Sequence, residues 1–250
     1  VALDVGLNSA KTAFTLGLDD RCDVDRYNEQ LSLLCNIEGA AILQRRAQED
    51  PEVLAIFRNH EAPSLRDVAE LEASIAALAR AQNLDDAWIW NRSAQSLADF
   101  FDHLPAESCN PDIDKPEEIR LFRIRQAMER LVLMVQRRSV FSPEAGLHSA
   151  LGVNPYARFS APMREMVGIF THKEAVESEF AGACALSREE NAELRKCVIE
   201  SSNKAKTAQR NIDKAIDSCA IAHVIRSDYE LAFDKRPRRR GTILGMKAEA

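Results

Sequence analysis

The chain has 250 residues, an apolar content of 46% and a formal net charge of −6, which is enough for a sizeable core in one large domain or two small ones. No apolar run approaches the ~20 residues that a membrane-spanning helix needs, so no membrane partner is expected. The acidic balance argues against a protein that simply coats nucleic acid, since such proteins are usually basic. It does not exclude an enzyme that threads a strand through a locally basic channel.

Hydrophobic spacing and capping signals predict a mostly helical chain with weak strand signals near its two ends. A short strand is predicted over 14–18, and Asp19, Asp20, Asp23 and Asp25 are expected to form a hairpin-type turn after it. Four helices are predicted over 27–48, about 92–103, 161–181, and from Ser187 to about 233. Two more are predicted to begin at Ser64 and at Asp114. A further strand is predicted to begin within 240–247.

Two segments stand out for their charge or their cysteines. Five of the six residues from Lys235 to Arg240 are cationic, which fits either a solvated linker or a strap that contacts phosphates. The six cysteines form no Cys-x-x-Cys pair, and no secretory signal opens the chain. We therefore expect reduced thiols and an intracellular location, either cytoplasmic or organellar.

The segment 156–174 concentrates polar and aromatic groups around one arginine. Ser160 and Pro162 suit the start of a helix, as its N-cap and within its first turn. Arg164 would then lie beside free backbone N–H groups at the positive end of the helix dipole, an arrangement that suits a phosphate. Tyr156 and Phe159 precede it and could stack on a base or a ribose. The alternative is a tight turn that caps a structural helix, with Arg164 in a surface salt bridge.

This segment resembles the RNB domain of the RNase II family, which carries Tyr-Thr-His-Phe-Thr-Ser-Pro-Ile-Arg-Arg-Tyr followed by Asp and then His. The matching positions are Tyr156, Phe159, Ser160, Pro162, Arg164 and His172. The departures are Glu165 for the second arginine, Met166 for the tyrosine and Gly168 for the aspartate.

Other segments are similar to the same family in the same order along the chain. Residues 28–36 resemble its Val-Glu-Glu-Phe-Met-Leu-Leu-Ala-Asn helix, and 57–63 match its Tyr-Arg-x-His-x-x-Pro turn. His148 precedes Tyr156 by eight residues, as the family's histidine precedes its tyrosine. Residues 203–210 resemble the late helix that carries Ala-Glu-Arg, with Gln209 at the glutamate. Several matches in order are more specific than any single one.

The resemblance implies an α+β, mainly α-helical fold: the C-terminal part of an RNB-type catalytic domain running into the start of an OB-type barrel. Residues 1–233 would form the catalytic part. Residues 234–250 would form a linker and the first strand of the RNA-binding barrel. The family's magnesium-binding aspartates would lie upstream of this chain, which offers no metal ligands in a matching context.

The implied activity is 3′-to-5′ hydrolysis of single-stranded RNA to nucleoside 5′-monophosphates, within a possible larger RNA-processing complex. Arg164 would be the catalytic cation that neutralises charge in the transition state. Tyr156 and His172 would support its loop or touch the strand, and Glu29 would contact the RNA end or lie behind the residues that do. Phe159, Ser160 and Gln209 are also expected to bind RNA. For His172, as for His60 and His148, a purely structural role is the alternative.

Two other classes remain open from the sequence. Glu165, Met166, Gly168 and Gln209 change the polarity of the expected RNA channel, which favours a catalytically inactive RNB-like protein that binds RNA as a regulator or assembly scaffold. The second class is a helical interaction module with no role in RNA binding.

Overall fold

A computed structural model describes residues 2–7, 14–19, 22–105, 108–109, 112, 114–180 and 186–238. The chain divides into two compact units. Unit 1 combines the segments before residue 62 and after residue 137, and it holds every predicted site residue. Unit 2 is formed by residues 62–137, with 239–250 lying outside the described residues.

Unit 1 contains both small sheets and the longest helices. Its elements are β1 (Ala2–Leu7), β2 (Phe14–Asp19), α1 (Asp23–Glu49), β3 (Phe57–Asn59), β4 (Val140–Ser142), α5 (Met166–Glu179), α6 (Arg188–Val224) and α7 (Arg226–Tyr229). β1 and β2 form an antiparallel hairpin in which Ala2 pairs with Asp19. β3 pairs antiparallel with β4, Phe57 opposite Ser142, although 80 residues of chain separate the two strands.

Unit 2 is helical and has its own core. It contains α2 (Leu65–Ala81), a 3₁₀ turn (Asp86–Trp88), α3 (Leu97–Asp102) and α4 (Pro116–Val135). The buried side chains are Leu71, Ile75, Ala79, Trp88, Trp90, Phe100, Leu104, Ile124 and Met128. This core therefore includes both tryptophans of the chain.

Capping residues explain where two helices begin. Ser64 Oγ accepts a hydrogen bond from Asp67 N at 3.1 Å, and Asp67 Oδ2 accepts one from Ser64 N at 3.1 Å. Ser187 and Glu190 form the same reciprocal pair at the start of α6. Each pair satisfies two backbone donors that a helix N-terminus leaves free, and both starts are confirmed as predicted.

The core of unit 1 lies on either side of β3. On one side Ala40 and Leu43 of α1 pack with Phe57 and Ala157. On the other side the buried residues are Leu54, Ile56, Phe141, Val167, Phe170 and Val198. This packing holds α5 and α6 against β4, and it brings the segment that precedes α5 close to α1.

A buried carboxylate adds a polar tie between these elements. Glu174 of α5 is 2% exposed. Its Oε2 accepts a hydrogen bond from Leu54 N at 2.6 Å. Its Oε1 accepts from Lys173 Nζ at 2.9 Å and from Asn191 Nδ2 at 2.8 Å. Glu174 therefore links α5, α6 and the segment before β3.

The predicted start of the helix at 161 is wrong, because α5 begins at Met166. The backbone N–H groups of Arg164 and Glu165 both bond to Ala161 O and form a turn. Glu165 then has extended backbone angles and is the N-cap. Ser160 is not the cap of this helix, and Arg164 precedes the first helical turn instead of lying within it.

Other boundaries also differ from the sequence predictions. Asp23 and Asp25 do not form a hairpin turn, since they lie in the first turn of α1. The helix predicted at about 92–103 is reduced to α3, because backbone bonds from Ala94 and Gln95 to Asn91 O form a turn there. The final helix ends at Val224, before a short α7.

The mainly helical character of the chain is confirmed. The expected barrel strand within 240–247 lies outside the described residues, as do Arg239 and Arg240 of the cationic segment. None of the helices in the described part is both long and apolar enough to cross a membrane. Cys22, Cys35, Cys109, Cys197 and Cys219 are free thiols.

Candidate functional site

A cavity of about 440 Å³ in unit 1 contains Arg164 in its wall. We call it the Arg164 cavity, and its lining residues are Phe141, Arg164, Glu165, Met166, Val167, Ser201, Ser202, Ala205, Lys206 and Gln209. They come from β4, from the turn before α5, from the start of α5 and from the middle of α6. The fold therefore brings together Arg164 and Gln209, which lie 45 residues apart in the sequence.

Arg164 is exposed in the turn that leads into α5. Its side chain makes no hydrogen bond or ion pair with any residue in the described ranges, so the expected alternative of a surface salt bridge has no partner there. A planar guanidinium without a partner can bind two oxygens of one phosphate.

Glu165 is the one carboxylate among the described residues of the cavity wall, and its charge is already compensated. Glu165 receives hydrogen bonds from Arg158 Nε and Nη2, at 3.0 Å to Oε2 and 2.8 Å to Oε1 respectively. Burial opposes ionisation of Glu165, but the bonds and charge of Arg158, with further positive charge from Arg58 and Lys206, hold its carboxyl pKa below the ordinary value. The same bonds raise the pKa of Arg158.

The electrostatic balance of the cavity is therefore positive, in contrast to the chain as a whole. Arg164 and Lys206 face the cavity, and Glu165 is compensated by Arg158. Ser201, Ser202 and Gln209 add uncharged hydrogen-bonding groups. A local positive field in an acidic protein selects anionic ligands.

Asn36 of α1 positions the segment that precedes Arg164, and sequence reasoning missed this role. Its side chain is 1% exposed. Oδ1 accepts hydrogen bonds from Phe159 N at 2.7 Å and Ser160 N at 2.9 Å. Nδ2 donates to Tyr156 Oη at 3.0 Å and to Ser160 Oγ at 3.2 Å. One buried amide thus organises three of the predicted site residues.

His172 of α5 supports the same segment through its contacts with Phe159. His172 Nε2–H donates to Phe159 O at 2.8 Å, and the two rings lie 5.4 Å apart between centroids. Phe159 also covers Gly39 of α1, where the position of any added Cβ would overlap its ring. The place of His172 fits support of the arginine's turn, one of the two roles expected for it.

Tyr156 is 4% exposed and faces the protein interior. Its ring lies 5.0 Å from the ring of His148, and its hydroxyl accepts the bond from Asn36. A tyrosine buried in this way has little surface on which a base could stack. Its position fits the expected support of the loop that carries Arg164. Contact of Tyr156 with RNA stays a prediction.

Gln209 and Glu29 occupy different places. Gln209 is exposed in the wall of the Arg164 cavity, and its Nε2 donates to Asp213 Oδ1 at 2.8 Å. Glu29 is exposed on the second turn of α1 and is not among the lining residues of that cavity. The structure therefore groups Gln209, but not Glu29, with Arg164.

His60 and His148, which belong to the other segments that resemble the family, stack on each other next to Tyr156. The rings of His60 and His148 lie 5.2 Å apart. His60 Nδ1 accepts from Ala150 N and contacts Ser149 Oγ at 2.6 Å. Burial, with the positive charges of Arg58, His60 and Lys206, lowers the pKa of His148 to about 4. His148 is therefore a neutral ring at pH 7 and packs between His60 and Tyr156.

The described residues offer no site for a hard cation. Nowhere in these ranges do three or more His, Cys, Asp or Glu side chains cluster closely enough to hold a metal ion. Magnesium prefers several carboxylate oxygens, so the described side chains do not fit this ion.

No protein-family model matches the sequence, and a comparison with curated proteins finds no match. Solved structures do match. RNase R of Mycoplasma genitalium in complex with ribose-methylated single-stranded RNA has a TM-score of 0.65 and 13% identity over 92% of this chain and 32% of that one. Its apo form has a TM-score of 0.66 with the same identity and coverage. Its complex with double-stranded RNA has a TM-score of 0.66 and 14% identity over 90% of this chain and 36% of that one.

These matches show an RNase R-type fold over nearly the whole described chain. The chain spans about a third of the length of the RNase R structures that it matches. At this level of identity, the likeness concerns the fold.

Proposed function

We propose that the chain is the C-terminal part of the catalytic region of an RNase II-type 3′-to-5′ exoribonuclease that hydrolyses single-stranded RNA to nucleoside 5′-monophosphates. The main support is Arg164, an arginine without a described partner in a net-positive cavity, on a fold like that of RNase R. The same proposal includes an intracellular location and possible membership of a larger RNA-processing complex.

The side chains of the cavity suit a phosphodiester. Arg164 would bind two oxygens of the scissile phosphate and stabilise the negative charge that grows in the transition state. Gln209 offers an amide that can accept from or donate to a ribose hydroxyl. The residues Asn36, Phe159, Ser160 and His172 would keep the arginine's turn in place and act through it.

We expect magnesium to take part in the reaction, but its ligands would be residues other than the described ones, as the family resemblance implies. In hydrolysis of this kind, bound metal ions activate water and stabilise the leaving oxygen. The described residues supply the opposite kind of group, since they surround the proposed phosphate with cations and hydrogen-bond donors.

The test is a degradation assay on the full-length protein with 5′-labelled single-stranded RNA. The proposal predicts progressive shortening from the 3′ end and release of nucleoside 5′-monophosphates in the presence of magnesium. A blocked 3′ end should abolish shortening. Arg164→Ala should greatly reduce the rate. Arg130→Ala is the control: it changes an exposed arginine of α4, outside the cavity, and should leave the rate unchanged. Internal cleavage, or degradation from the 5′ end, would contradict the proposal.

A catalytically inactive RNA-binding regulator or scaffold is the second candidate, and one observation favours it. Gly168 stands where the resembling family carries an aspartate. A Cβ at this position would lie 2.6 Å from Ala161 O and 2.9 Å from Ala161 C. The backbone therefore leaves no space for an aspartate here. RNA binding without shortening in the assay above would support this candidate over the nuclease.

A further inference from the structure

Lys206 is a half-buried lysine with a buried Nζ, and nothing in the resembling motifs singles it out. Its side chain reaches from α6 into the wall of the Arg164 cavity. Nζ lies 3.9 Å from the centroid of the Phe141 ring. This ammonium is removed from solvent, and none of the described residues gives it a hydrogen-bond partner.

An ammonium with no hydrogen-bond acceptor is costly to bury, because its three N–H donors lose water without replacement. The face of Phe141 attracts the cation and offsets part of this cost. The ring cannot satisfy the three donors in the way that oxygen atoms do. The described residues therefore leave the Nζ donors of Lys206 without oxygen acceptors, and an anionic ligand could supply them.

The charged groups around Lys206 leave no free acceptor for it among the described residues. Arg58 of β3, Arg158, Arg210 of α6 and His148 all contribute positive charge or potential positive charge near it. Glu165, the one neighbouring carboxylate among the described residues, is occupied by three hydrogen bonds from Arg158. Two cations, Arg164 and Lys206, thus line one cavity without described acceptors.

We propose that Lys206 is a second phosphate-binding cation of the Arg164 cavity, which donates to a phosphate oxygen of the RNA strand while Arg164 binds the same or the adjacent phosphate. The identity of the ligand as RNA rests on the proposed function. The role of Lys206 as an anion-binding group rests on the cavity itself.

The proposal has a consequence for proton binding. Burial, with repulsion from Arg58, Arg158 and Arg210, lowers the pKa of Lys206 to about 8, although Glu165 acts in the opposite direction. A phosphate beside Nζ would favour the charged form and raise this pKa. RNA binding should therefore weaken as pH rises above 8, and binding between pH 8 and 10 should be accompanied by proton uptake.

The first experiment measures the affinity of a fluorescent single-stranded RNA for the chain across a series of salt concentrations. Lys206→Met keeps the packing on Phe141 but removes the charge, and it should weaken binding about tenfold and reduce the logarithmic salt slope by about 0.7. Lys206→Arg should retain most of the affinity. Lys204→Met, an exposed lysine on the same helix, is the matched control and should change the affinity much less. Equal binding by the wild-type chain and Lys206→Met would overturn the proposal.

The second experiment follows the titration of Lys206 by NMR with ¹³C-labelled lysine, assigned by loss of its signal in Lys206→Arg. Both RNA and inorganic phosphate are added. An upward shift of the Lys206 pKa with each of them supports the proposal. A shift with phosphate in a chain that binds no RNA keeps the anion-binding role and overturns the proposed function. RNA binding with no shift overturns the role of Lys206 alone, and no response to either ligand overturns both.

Discussion

At the scale of single residues, Asn36 shows how a site is held together by a group that does no chemistry. It is buried, and its amide satisfies two backbone N–H groups and two hydroxyls of the segment 156–160. The sequence placed Asn36 at the end of a matching helix segment, but a lone polar residue on a helix carries no signal of its partner. That partner lies 120 or more residues away, so only the tertiary structure identifies it.

Replacing Asn36 by Ala should destabilise the protein by about 2–4 kcal/mol, since Phe159 N and Ser160 N would be left without an acceptor. The free energy of unfolding in denaturant measures this. Asn211→Ala, an exposed asparagine of α6, is the control and should change stability by less than about 0.5 kcal/mol. Equal effects of the two substitutions would mean that the amide of Asn36 does not organise the loop.

The buried ring of His148 should make stability depend on pH. Its pKa of about 4 in the folded protein lies below the ordinary 6.5, so the unfolded chain binds more protons between these values. Its contribution is fully present above pH 6.5 and decreases as pH falls toward 4. The free energy of unfolding should therefore decrease more from pH 7.5 to pH 5 in the wild-type protein than in His148→Gln. Parallel decreases in the two proteins would contradict this assignment.

At the scale of elements, the sequence predicted best what is decided locally. The capping boxes at Ser64 and Ser187 consist of side chains three residues apart, and both helices begin where predicted. β3 and β4 have three residues each, and 80 residues of chain separate them. Strands this short have no periodicity from which they could be predicted. The predicted start of α5 is too early because Pro162 suits a first helical turn, whereas Asn36 binds the backbone N–H groups of Phe159 and Ser160 and the chain forms a turn over 162–164 before the helix begins.

Gly168 is where α5 meets the turn before it, and the contact allows no side chain. Gly168→Ala should destabilise the protein by about 1–3 kcal/mol, because its Cβ would press on backbone atoms of Ala161 that cannot move aside. Gly168→Asp should cost more, since it adds a charged group beside a carbonyl oxygen. Thermal unfolding measures both, with Met163→Ala as the control, since this side chain of the same turn is 93% exposed. Unchanged stability in Gly168→Asp would show that an aspartate fits after all.

At the scale of the whole molecule, the chain matches only about a third of the RNase R structures that share its fold. The cationic part of the proposed site lies entirely in unit 1. The chain order of motifs allowed the fold class to be predicted, since several weak matches in sequence occurred together. The boundaries of the two units were not predicted, because they become visible only when β3 pairs with β4.

The purified 250-residue chain should bind single-stranded RNA but release no nucleoside monophosphates above background, since its described residues hold no carboxylate cluster for magnesium. Thin-layer chromatography of labelled products measures this. Any release that persists equally in Arg164→Ala should be assigned to a contaminant. Magnesium-dependent release that Arg164→Ala abolishes would contradict the expectation and would place a metal site within this chain.

The central claim is that Arg164 stabilises the transition state of RNA hydrolysis, and single-turnover rates beside RNA affinities of the full-length protein test it most directly. Arg164→Ala should lower the rate by about two orders of magnitude, or ~3 kcal/mol, with a much smaller loss of affinity. Arg164→Lys should restore little, because a point charge does not reproduce the planar guanidinium. The sequence also suggested a comparison with Arg239, whose position falls outside the described residues; its substitution should weaken binding modestly and leave the rate of the bound complex intact. Equal losses of rate and affinity in Arg164→Ala would contradict the claim by showing that this arginine only anchors RNA, and unchanged values would show that its role is structural.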